Sequence, residues 1–141
     1  MRLALILAIL THNAACGEYK PVRVAGFEEE VNAFMVEASN RGKTYDISGL
    51  VIELVESPDA NKPSIIGMCY FGNRRIVIKQ SYWEKVGPLE REALIFHELG
   101  HCIQEKQGHS SCPNIMCPTL TFDFVVAYSS KRKDFLNVFF N

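Results

Sequence analysis

The chain has 141 residues, 48% of them hydrophobic, with 15 Lys and Arg against 16 Asp and Glu and a formal net charge of −1. That is enough apolar material for one domain with a single core. The basic residues are scattered, which excludes the concentrated basic face that nucleic acid needs, and no apolar run approaches the roughly 20 residues that span a bilayer.

Met1-Arg2 gives a short positive start, and Leu3 to Leu10 is an unbroken apolar run. This is the pattern of a signal-peptide core rather than of a membrane helix. Two small residues, Ala14 and Ala15, then lead into Cys16. The arrangement resembles a bacterial lipoprotein processing site, with Asn13 where an aliphatic residue is usual, and it implies lipidation of Cys16. The organisation expected is a signal peptide over 1–15, a tether over 16–25 and one domain over 26–141. The protein is then exported, as a cell-envelope lipoprotein held to the membrane only through its N-terminal lipid, or otherwise secreted.

From Phe27, apolar residues recur at Val31, Phe34, Met35 and Ala38, the spacing of a helix with one buried face, closed by Gly42. Glu28, Glu29 and Glu30 suit its first turn. Three strands are expected next, at Leu50–Val55, Ser64–Phe71 and Arg74–Gln80, the last two forming a hairpin about Gly72-Asn73. In the second arm Ile76 and Ile78 oppose Arg75, Val77 and Lys79, a pattern suited to an outer strand. Pro88 opens a helix expected to run from Leu89 to Gln107, with Gly108 ending it. Gly100 inside it costs about 1 kcal/mol relative to Ala, which suggests that another element passes close to the helix backbone. A last amphipathic helix is expected over Ser130–Phe140.

The central helix contains His97-Glu98-Leu99-Gly100-His101. Residues four apart stand one turn apart on one face, so both imidazoles reach one Zn2+ ion. Glu98, about 100° round the helix, lies near the metal without binding it and can take a proton from a zinc-activated water as general base. Ile95, Phe96 and Leu99 surround the motif, and histidines among apolar neighbours need partners.

A catalytic zinc takes three protein ligands. His109, directly after Gly108, is the expected third, because a left-handed glycine can turn the chain back towards the metal. Glu105 is a weaker rival, since it has drifted about 80° off the metal face, and Asp123 lies in a sequence unlike that of aspartate-type zinc sites. Met116 sits in a proline-bounded turn, Cys112-Pro113-Asn114-Ile115-Met116-Cys117-Pro118. Export into an oxidising compartment makes Cys69, Cys102, Cys112 and Cys117 disulfide candidates. Four cysteines allow three pairings and the sequence does not choose among them; Cys112–Cys117 with Cys69–Cys102 is favoured, and buried free thiols are the alternative.

The order of metal helix, glycine turn, third histidine and methionine turn resembles the metzincins. Together with Gly67-Met68-Cys69-Tyr70, the hairpin, Ser81-Tyr82-Trp83 and Glu90 to Cys102, it is similar to a group of small bacterial metzincin-like metallopeptidases, often lipoproteins, over roughly residues 48–140. The resemblance implies a zincin-like α/β domain of the α+β kind, with a small mixed sheet, a backing helix, the active-site helix and a closing helix. It also implies a zinc endopeptidase acting on peptide or protein substrates, with Met116 as an apolar floor beneath the metal histidines. A tyrosine often follows that methionine by two residues; Pro118 stands there. The alternative function is a catalytically degenerate zinc-binding envelope lipoprotein that contacts a partner without cleaving it. Oligomeric state is not legible.

Overall fold

The structure, a computed structural model, describes residues 20–141. The apolar run 3–10, Cys16 and the first part of the 16–25 segment lie outside the described residues. The fold is α+β: helix α1 (Glu28–Ser39), strands β1 (Val51–Val55), β2 (Gly67–Tyr70) and β3 (Arg75–Lys79), a four-residue helix α2 (Gln80–Trp83), and helices α3 (Pro88–Cys102) and α4 (Phe122–Phe139). No helix among the described residues is long and apolar enough to cross a membrane.

The sheet has the order β1-β3-β2, with β1 parallel and β2 antiparallel to β3. This corrects the expectation that the second hairpin arm is an outer strand. Ile76, Val77 and Ile78 are all buried, so the middle of β3 is covered on both faces. The distant β1 takes up its second edge, a pairing that alternation along one arm does not reveal. The hairpin turn also differs. A 3-10 turn over Phe71–Asn73 replaces a two-residue loop, and Arg74 takes φ +51°. Its guanidinium is held by the Asp46 and Ser48 carbonyls at 3.2 and 3.0 Å. Residues 20–25 lie along the sheet: Arg23 forms a parallel bridge with Val51, and Val22 and Val24 pack on the core.

Helix α3 runs through the middle of the molecule. Every residue from Ala93 to Gly100 is buried, which requires neighbours all round: α1, the sheet and α4 supply them. Its end comes at Cys102 rather than at Gln107. Glu105 adopts φ +55°, and the Lys106 N–H returns to the Gly100 carbonyl at 3.0 Å, so the chain turns back beside the last helical turn. Helix α4 starts eight residues earlier than its apolar pattern indicates, because the Thr121 hydroxyl accepts from the Phe124 N–H at 3.2 Å and caps it. A break at Lys131 (φ −129°) separates this first half, which buries Phe124 and Tyr128, from a second half that buries Phe135, Leu136 and Phe139. Arg132 ties α4 to the other helices, bonding Glu92 through both carboxylate oxygens at 2.7 and 2.9 Å and Glu37 at 2.6 Å.

Candidate metal centre

His97 and His101 occupy successive turns of α3, so their rings meet on one face, with centroids 4.8 Å apart. His109 arrives from the loop after the helix. Gly108 takes φ +72°, a conformation that costs glycine nothing, and the His109 ring then stands 5.2 Å from each of the other two. Each histidine offers one nitrogen, and the three nitrogens lie within 4.8 Å of one another. Among the described residues this is the one group of three or more ligand-type side chains close enough for a metal ion. Glu105 and Asp123 are not in it; both are exposed, Glu105 beyond the end of α3 and Asp123 in the first turn of α4.

The hydrogen bonds fix which nitrogens face inward. His97 Nδ1 lies 2.7 Å from the Ile115 carbonyl, and His101 Nδ1 lies 2.8 Å from the Lys106 carbonyl. A carbonyl only accepts, so each Nδ1 carries the proton and donates it. In a neutral ring Nε2 is then the lone-pair nitrogen, and the two Nε2 atoms face each other at 3.2 Å. Two lone pairs this close repel unless a proton or a metal ion lies between them. Two nitrogens bound tetrahedrally at about 2.0–2.1 Å from one ion are separated by about 3.3 Å. The three-imidazole donor set suits a divalent ion that accepts nitrogen ligands, and the spacing of the His97–His101 pair fits it. Burial, opposed by the Ile115 hydrogen bond and reinforced by the other two histidines, pushes His97 down to about 4. Burial and His101 likewise lower His109. Both shifts favour the neutral imidazole, the form that can hold a metal ion.

Glu98 is buried beside this group, and burial pushes its carboxyl up to about 8. The carboxylate fits because residue 67 has no side chain: a Cβ on Gly67 would lie 2.5 Å from Glu98 Oε1. Below the helix, a Cβ on Gly100 would lie 2.6 Å from Met116 Sδ and 2.9 Å from the Phe139 ring. The close approach expected at Gly100 is therefore made by Met116 and Phe139. Disulfides join Cys69 to Cys102 and Cys112 to Cys117.

Among the described residues, openings reach the histidines from two sides. One, of about 440 Å3, is lined by His97, Glu98 and His109 with Ile65, Leu94 and Leu120. The other, of about 300 Å3, runs past His101, Phe71 and Cys69 along β2. The Lys79 N–H bonds the Ile66 carbonyl at 2.8 Å, which sets the antiparallel register so that Gly67 and Cys69 turn their N–H and C=O groups away from β3. That edge of β2 is free of any strand among the described residues.

A family model described as Putative phage metallopeptidase matches residues 33–122, from within α1 to the start of α4 and across the whole histidine group. The chain belongs to this family. Neither a curated protein nor a solved structure matches it significantly. Membership makes the protein a metallopeptidase-family chain, and the three histidines are a group that could hold a metal ion.

Several contributors to the site carry no signal in the sequence. The Ile115 and Lys106 carbonyls that orient the rings are backbone groups, and any residue type supplies them. Gly67 did carry one: an isolated glycine inside a strand marks a close approach of another group.

Proposed function

We propose that this protein is a zinc-dependent endopeptidase of metzincin-like design, in which His97, His101 and His109 hold one ion and Glu98 is the general base. The observation that carries the reading is the pair of inward-facing Nε2 lone pairs 3.2 Å apart, each fixed by a donated Nδ1 proton. Bound there, zinc would polarise the scissile carbonyl as a Lewis acid and bring the pKa of a water to about 7. Glu98 would take a proton from the attacking water and pass it to the leaving amine. Its burial raises its proton affinity and so suits it to hold the proton between the two transfers.

The substrate is an extended peptide added as a further strand to the edge of β2. Gly67 and Cys69 offer it their free N–H and C=O groups, and Gly67 lets its backbone pass close to Glu98. Met116 forms the apolar floor beneath the histidines, as its contact with Gly100 between them supports. The N-terminal run 3–10 and Cys16 support export and lipid anchoring to the cell envelope. Cys16→Ser is expected to move the protein from membrane to soluble fractions; unchanged partitioning refutes the anchor.

The mechanism is tested by Glu98→Ala, assayed on an unfolded protein substrate such as casein with zinc content measured in parallel. Hydrolysis is expected to vanish while zinc stays at one per chain. Retained hydrolysis removes Glu98 from its role.

A further inference from the structure

The nineteen residues from Ile103 to Thr121, between α3 and α4, contain no helix or strand. Yet this loop supplies His109 and both carbonyls that orient the helix histidines, Lys106 to His101 and Ile115 to His97. A loop of this length loses much conformational freedom when it is held in one shape. Its second half is closed into a six-residue ring by the Cys112–Cys117 bond, with Cα atoms 5.0 Å apart. Inside the ring the Met116 N–H bonds Asn114 Oδ1 at 2.7 Å and the Cys117 N–H bonds the Asn114 carbonyl at 3.0 Å. The ring then reaches out to the residue beside the third histidine: the Ser110 N–H bonds the Met116 carbonyl at 3.0 Å.

We propose that the Cys112–Cys117 disulfide is a positioning element of the metal centre, fixing the Ile115 carbonyl against His97 and, through Met116 and Ser110, the place of His109. The inference rests on the metal-site reading above. Apolar burial alone does not do this work. Ile115 and Met116 are buried and would stay so with the bond open, but burial of a side chain does not aim its carbonyl. The ring does, by restricting the backbone on both sides of residue 115. Cys69–Cys102 plays a different part. It joins β2 to the last turn of α3, two elements already ordered by their own hydrogen bonds, and holds no loop that carries a ligand. Outer partners that orient metal-bound histidines are worth about 10–100-fold in metal affinity, and opening the 112–117 ring loosens one of them together with a ligand.

The test compares zinc affinity, by chelator competition, in wild type, Cys112→Ser/Cys117→Ser and Cys69→Ser/Cys102→Ser. Visible spectra of the Co2+-substituted proteins report coordination number. Zinc binding about 10–100-fold weaker in the 112/117 variant, with loss of the intense bands of a four-coordinate cobalt site, is expected; the 69/102 variant keeps zinc affinity within about threefold while melting lower. Zinc affinity within about twofold of wild type in the 112/117 variant overturns the proposal, as does an equal loss in both variants, which marks a general effect of stability. Wild type that binds no zinc overturns the metal reading itself. Should the 112/117 variant fail to fold, wild type treated with a phosphine reductant replaces it, with alkylation and mass spectrometry locating the opened bond; the same two results decide.

Discussion

Gly67→Ala is a change of one methyl group that should disable the protein without touching a ligand. The new Cβ would lie 2.5 Å from Glu98 Oε1 and 3.0 Å from Leu94 Cδ1. Restoring an ordinary contact of 3.4 Å moves the carboxylate by about 0.9 Å, and displacement of a reacting group by about 1 Å costs on the order of 100-fold in rate. The backbone at residue 67 is ordinary strand, so alanine meets no strain there. The expected result is kcat/KM on casein down by about 100-fold, about 2.7 kcal/mol of lost transition-state stabilisation, with zinc still at one per chain. Shortening the displaced side chain should relieve the clash, so Gly67→Ala/Glu98→Asp should recover part of the loss that either change causes alone. Wild-type turnover in Gly67→Ala at full zinc occupancy refutes the placement of Glu98 against Gly67.

Other changes probe the scaffold. Gly100→Ala gains about 1 kcal/mol of helix propensity but drives a Cβ into Met116 Sδ and the Phe139 ring, an overpacking cost of about 1–3 kcal/mol; urea unfolding should show net destabilisation of up to about 2 kcal/mol, and a more stable variant would contradict the contact. His109→Ala should weaken zinc binding while leaving the fold intact by circular dichroism, and unchanged affinity would remove His109 from the ligand set. Burial raises Glu37, but hydrogen bonds from Arg41 and Arg132 outweigh it and hold its carboxyl below the usual range. Its stabilising contribution is therefore complete above about pH 4.5 and is lost as pH falls through the lowered value. Glu37→Gln should flatten the acid side of the stability profile, and a profile identical to wild type would show that the pairing does not act in solution.

The sequence exposed the core of the site because helix geometry is local. Four residues is one turn, so His97 and His101 share a face whatever surrounds them. The turn at Gly108 was legible for a similar reason, since glycine there admits the left-handed backbone it adopts. What escaped was set by distant partners. Strand β3 looks like an edge when its own alternation is considered alone, and becomes central because β1, with each partner 24 residues earlier, pairs alongside it. Helix α3 ends early because Glu105 takes a left-handed conformation without being glycine, a turn that brings the Lys106 carbonyl back to His101. The first half of α4 was hidden by its β-branched Val125-Val126 and by a cap, Thr121, not followed by an acidic residue at the third helical position.

The most direct measurement is the metal content of purified, zinc-reconstituted protein, by elemental mass spectrometry, for wild type and His97→Ala/His101→Ala. Two histidine nitrogens that face each other across 3.2 Å can share a proton or hold a metal ion, and metal content tells the two apart. One zinc per wild-type chain and none in the double variant is the predicted result; a wild-type chain that stays metal-free, or a double variant that keeps its ion, contradicts it.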